Sequence, residues 1–139
     1  MAGYWGAMSR ENVERVRFGH DAIRKGDVDG FLTIVSPDCE FRSLVVEPDT
    51  QTAFRGHDGV RRWFAALTET FNDFGSEPTD VRALGDHGAI AKVRAFGTVG
   101  GVEVDQTMWQ AIEFRDGLLY RWAFCRTAEE ALEAVGLRE

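Results

Sequence analysis

The sequence has little cysteine: two residues, Cys39 and Cys125, far apart and outside any Cys-x-x-Cys arrangement. A disulfide framework is thereby excluded. It has no excess of positive charge, since 16 Lys+Arg stand against 23 Asp+Glu for a net charge of −7. Phosphate backbones and anionic lipid surfaces both select basic surfaces, so neither nucleic acid nor a membrane is the expected partner. No apolar run approaches the about 18 residues that would span a bilayer. Met1–Ala7 has no basic stretch followed by an apolar core, so no secretory signal is read there and the cytoplasm is the expected location. No grouping of His with carboxylates has metal-ligand spacing, and no glycine-rich phosphate loop follows a strand. Neither a metal nor a cofactor is expected.

What is present describes a globular chain. Apolar residues make up 44% of the 139 and aromatics 12%, which is enough to build one core without covalent staples. No repeat, low-complexity tract or linker interrupts it. The expected organisation is a short leader over residues 1–8 and a single domain over 9–139.

Hydrophobic periodicity places the elements. Ser9, followed by Glu11 and Asn12, opens a helix whose stripe is Val13, Val16, His20 and Ile23. Gly26 ends it and Asp27 caps a second, short helix holding Phe31, Leu32, Ile34 and Val35 before Pro37. Alternation at Cys39–Ser43 predicts a strand, and Glu47–Thr52 a polar loop. The longest helix is expected to open at Gly56 and end near Asp73, with Val60, Trp63, Phe64, Leu67 and Phe71 on one face. Strands follow at Val81–Leu84, Ile90–Phe96, Val102–Phe114 and Leu118–Cys125. Asp116-Gly117 is a two-residue type I′ hairpin signal. Thr127 to Glu130 is a capping box that starts a short final helix, with Gly136 beyond its end. Helices segregated from a mainly antiparallel sheet define an α+β fold. Long twisted strands can curl around a helix, giving a cone-shaped α+β barrel with an apolar mouth.

Several strings in this order resemble the SnoaL-like group of the nuclear transport factor 2-like superfamily. They are Glu-Asn-Val-Glu-Arg-Val (11–16), Arg-Lys-Gly-Asp-Val-Asp-Gly (24–30) and Phe-Arg-Gly-His-Asp-Gly-Val-Arg-Arg-Trp-Phe (54–64), then Val-Glu-Val-Asp-Gln (102–106), Phe-Arg-Asp-Gly (114–117) and Ala-Leu-Glu-Ala-Val-Gly-Leu (131–137). The resemblance implies a curved sheet wrapped around helices and a homodimer formed through the convex sheet face. It implies no single activity, because the superfamily includes ketosteroid isomerase, limonene epoxide hydrolase, polyketide cyclases, dehydratases and non-catalytic members. The isomerase's carboxylate base falls at Ser43, its oxyanion tyrosine at Gly19 and its second acid near Gln110. A serine hydroxyl without an activating base cannot take a carbon-bound proton near neutral pH, whereas Gln110 can still donate to an oxyanion. The epoxide hydrolase carboxylates fall near Gln110 and Ala123, neither of them acidic. Both known carboxylate arrangements are expected to be absent.

The residues themselves leave two candidates for chemistry. His20 interrupts an apolar stripe and should face the core. It reads as a core histidine satisfied by a neighbour, as pocket lining, or as an acid–base group. Asp105 is the second catalytic candidate, weighed against an outward-facing salt bridge. On β alternation Val102, Val104, Gln106, Met108, Gln110, Ile112 and Phe114 share the more apolar face of the long strand, which should line the cone. Gln106 and Gln110 on that face need partners: a ligand, water or His20. The expected pocket is lined by His20, Phe41, Ser43, Trp63, Phe71, Gln106, Met108, Gln110 and Trp122. Alternation alone leaves open which face of Leu118–Cys125 turns inward, and with it whether Arg121 is buried. His57 and His87 read as surface residues. Two functions are compatible with this. One is a pocket that takes a small hydrophobic molecule, cyclic, terpenoid or polyketide-like, and acts by proton transfer. The other is a non-catalytic dimeric domain that binds a ligand or a partner.

Overall fold

The computed structural model describes residues 2–42 and 53–134. Ser43, the loop 47–52 and Gly136 lie outside the described residues. The order is α1 (Ala2–Lys25), α2 (Val28–Leu32), β1 (Val35–Arg42), β2 (Phe54–Arg55), α3 (Gly56–Thr70), β3 (Asn72–Leu84), β4 (Gly88–Val99), β5 (Val102–Arg115), β6 (Leu118–Cys125) and α4 (Ala128–Ala134). The strands form one sheet in the order β2-β1-β6-β5-β4-β3. Among the described residues only the β1–β6 pair is parallel. This is the α+β sheet expected from the sequence.

The hairpins follow from their turn residues. Asp116 and Gly117 both have positive φ, 53° and 77°, as a type I′ turn demands. Gly100 and Gly101 do the same at 56° and 84° between β4 and β5. Gly26, with φ 70°, ends α1, and Asp27 accepts from the Gly30 amide at 3.0 Å. Thr127 Oγ1 accepts from the Glu130 amide at 3.1 Å, while the Glu130 carboxylate accepts from the Arg126 amide, one residue before the expected partner.

Four expectations need correction. α1 starts at Ala2 rather than at Ser9. Residues 2–8 contain no proline to stop a helix from extending that way. Val35 begins β1 instead of closing α2, in keeping with its β-branched side chain. Pro37 is accommodated because the β1–β6 register shifts between Val35 and Glu40, where no ladder bond is demanded. α3 ends at Thr70, not near Asp73. β3 begins at Asn72, far before Val81. Its first half lacks alternation because the ladder to β4 is broken twice, between Asn72 and Gly75 and between Pro78 and Asp80.

Two layers cover the sheet. The concave side packs against α1, α2 and α3 through an aromatic cluster. Phe41 stacks on Trp122 with centroids 4.5 Å apart and meets Trp63 edge-on at 4.9 Å. Of the stripe read from the sequence, Val60, Trp63, Phe64 and Leu67 are all buried, whereas Phe71 stands just past the end of α3 and is half-buried. On the convex side α4 seats Ala131 against Ile90 and Ala111, with Leu84, Trp109 and Cys125 around them.

The open question about β6 is settled by a bulge. Glu113 pairs with Arg121 but Phe114 pairs with Leu119, so one residue is inserted and strict alternation fails. Leu119, Trp122 and Phe124 are buried, while Arg121 is exposed and sits 3.7 Å from Glu113.

Candidate functional site

His20 lies on the inward stripe of α1 and is 3% exposed. Its ring joins two strands. Nδ1 is 2.7 Å from the Ser76 hydroxyl on β3, and Nε2 is 2.8 Å from Gln110 Oε1 on β5. A carbonyl oxygen only accepts, so Nε2 carries the proton. Nδ1 is then the bare nitrogen, and the Ser76 hydroxyl donates to it. The chain runs in one direction, from Ser76 through His20 to Gln110, with every member buried. Among the described residues no buried side-chain nitrogen or oxygen lacks a partner.

Burial dominates the electrostatics. Removal from water pushes the imidazole down to about 4, against a weaker opposing effect of the Gln110 hydrogen bond. His20 is therefore neutral at pH 7. A carboxylate in place of Gln110 would have stabilised an imidazolium; an amide has no charge with which to do so. The site is a neutral hydrogen-bonding group in apolar surroundings, not a charged one.

Those surroundings are Val16, Gly19, Phe31, Trp63, Trp122 and Phe124 among others, and the void they leave beside His20 and Gln110 is ≈ 10 Å³. That is room for about one water molecule. A separate groove of ≈ 240 Å³ lies further along the concave face, toward the β4–β5 hairpin, and takes in Phe71, Gln106 and Met108.

The expected pocket is thus divided. His20, Trp63, Gln110 and Trp122 come together around the small void. Phe71, Gln106 and Met108 line the groove instead. Gln106 is exposed and does not join His20, because α1 and α3 end before that stretch of β5 is covered. Phe41 is 1% exposed and packs between Phe54 and Trp122 in the aromatic cluster. Ser43 lies outside the described residues. Asp105 is on the convex face in a bidentate pair with Arg94, with contacts of 2.7 to 3.1 Å, so the geometry does not bring it to His20. Ala123 also faces outward, opposite Ala111, so the position aligned with an epoxide hydrolase carboxylate is not in the cone. His87 is exposed as expected, but His57 is half-buried and donates to the Val35 carbonyl at 2.9 Å.

Ser76 is the residue that sequence reading missed. It stands in the half of β3 that showed no strand pattern. Its only available signal was being a small polar residue between Gly75 and Glu77.

Among the described residues no group of His, Cys, Asp and Glu is placed to hold a metal ion, and no helix is long and apolar enough to cross a membrane.

Comparison with known proteins agrees with this architecture. Residues 16–122 match the family model of the SnoaL-like domain, and the chain belongs to that family. An NTF2-like protein of unknown function from Burkholderia pseudomallei superposes with a TM-score of 0.74 at 16% identity, covering 91% of this chain and 98% of that one. TerC, crystallised with polyporic acid, gives 0.74 at 18%, covering 90% and 98%. A protein of ketosteroid isomerase-like fold from Catenulispora acidiphila, in complex with trimethylamine, gives 0.67 at 15%, covering 89% and 93%. These likenesses establish the NTF2-like cone fold. No curated protein matches the sequence significantly.

Proposed function

We propose that this chain is a small-molecule binding domain whose ligand is a neutral, hydrophobic cyclic molecule received beside His20 and Gln110. One observation carries the reading: the buried chain Ser76–His20–Gln110 set in an aromatic interior. Apolar residues would fill that space with no polar group to satisfy, so three mutually bonded polar side chains there are costly as mere packing. A ligand carbonyl or hydroxyl can exchange for one of these bonds. Proton transfer is the active form of the same reading, in which a ligand that displaces Ser76 from Nδ1 meets the ring's free lone pair. Two structural relatives crystallised with small molecules, polyporic acid and trimethylamine, support small-molecule binding in general and not this ligand class. The small void favours the second reading, a non-catalytic domain. A homodimer through the part of the convex face that α4 leaves open belongs to both, and a monomer mass in solution at micromolar concentration would refute it.

The test is a titration of the His20 ring nitrogens by NMR, with and without 2-naphthol and cyclohexanone as probes. Binding displaces the His20 signals saturably. Signals that stay in place with both probes remove the assigned role.

A further inference from the structure

A void that holds one water admits no ring, so binding at His20 requires something to move. Register along β5 indicates what. Gln106, Met108 and Gln110 point to the same concave face at successive inward steps. Gln106 lines the open groove and Gln110 the inner void, while Met108 lines the groove and is itself 4% exposed. Along β5, Met108 therefore stands between the two spaces. Methionine is unbranched and soft, which makes it the most displaceable apolar wall available.

The groove has the chemistry of a vestibule. Phe71 and Phe74 form a tilted pair with centroids 5.0 Å apart, and Val104 and Met108 face them. Gly97 lets Phe71 lie against the sheet, since a Cβ there would come 3.1 Å from the ring and 3.3 Å from the Phe74 backbone. Thr70 and Gln106 supply uncharged polar groups, and among the described residues no charged side chain lines the groove. An ion gains nothing there, whereas a neutral ring with one hydroxyl or carbonyl finds both partners. At ≈ 240 Å³ the space is below the roughly 300 Å³ of the smaller drug-sized pockets, which suits one or two fused rings.

We propose that this groove is the vestibule for a small, neutral, ring-bearing ligand, and that Met108 is the partition it must displace to reach His20. The proposal rests on the binding reading above, and its failure can be told apart from that reading's failure. The experiment is NMR of the full chain with 2-naphthol, which is neutral at pH 7. It follows the amides of Phe74, Ala95 and Gln106 for the groove and the His20 ring nitrogens for the inner void. Three variants accompany the wild type. Val104→Trp fills the groove. Met108→Ala opens the partition, and Met108→Ile keeps its volume while stiffening χ1. Groove amides are expected to shift saturably, and Val104→Trp to weaken this at least tenfold. Met108→Ile should slow the His20 response about tenfold without changing the groove response, and Met108→Ala should speed it. Should Met108→Ala not fold, Met108→Ile carries the comparison. His20 signals that move while the groove amides stay still would overturn the vestibule and leave the binding reading standing. Groove amides that shift while His20 is silent in both wild type and Met108→Ala would overturn the partition, and the role of His20 with it. Binding unchanged by Val104→Trp would overturn the groove as the site.

Discussion

Gln110 and Asp105 lie on the same strand, and the pleat sends them to opposite faces of the sheet. On the concave face Gln110 joins His20 and Ser76, all uncharged and all buried. On the convex face Asp105 joins Arg94, and Glu113 and Glu40 pair with Arg121 and Arg55, charged and at least partly open to water. The two faces use polar groups for different ends. Inside, a lost partner leaves a buried group unsatisfied; outside, water replaces it at once. The net charge of −7 therefore says little about the site, whose polar members carry none of it.

The largest expected effect tests whether the concave face anchors the fold. Trp63 is 1% exposed and touches Phe41, Phe64 and Phe124. Trp63→Ala should lower unfolding free energy by about 3–5 kcal/mol, the usual cost of emptying an aromatic core position. Trp109→Ala on the half-buried convex side should cost clearly less in the same urea titrations. Equal losses would end the contrast.

The next effect concerns pH. His20 is held to about 4 in the folded chain, against 6.5 for a free imidazole. Between those values the unfolded chain binds a proton that the folded one refuses, so stability rises with pH across this window. Acidification from pH 6.5 to 4 should therefore cost about 3 kcal/mol, at one proton's slope, and level off below. His20→Phe should flatten that slope. A slope unchanged by the substitution would show that His20 is not neutral and buried.

Gln110→Leu is smaller again. It leaves the Nε2 proton of His20 without an acceptor, which should cost about 1–3 kcal/mol by urea unfolding. A neutral result would mean that water takes over the bond, and the concave face would then be wetter than its void implies.

The sequence was legible where one residue's chemistry decides a local structure. Asp116-Gly117, Asp27 and the stripe of α3 behave as their residue types require. His20 and Gln110 were legible because a polar residue breaks an apolar face at each. Ser76 was not, because both interruptions of the β3 ladder remove the alternation that would have revealed a strand there. Gln106 was misread for a related reason. Alternation gives the side of the sheet but not how far along the strand the helices reach. The face of β6 was hidden by its bulge, a pairing feature that depends on two strands at once.

The smallest expected effect is at Asp105. Its pair with Arg94 is bidentate, and the Arg94 guanidinium holds the carboxyl below its ordinary range. Read alone, that would rank it above the neutral bond of Gln110. Exposure reverses the order, since both side chains stand about half open to water, where attraction is screened and each partner is readily hydrated. Asp105→Asn should leave the urea midpoint and its salt dependence unchanged within scatter. The pH windows keep the two faces apart as well. A carboxyl lowered below 3.8 loses its contribution only from about pH 5 downward, so it supplies no slope over the upper part of the window between pH 6.5 and 4. If Asp105→Asn flattened the acid slope while His20→Phe did not, the titrating group would belong to the convex face, and the assignment of neutral chemistry to the inside and charge to the outside would have to be reversed.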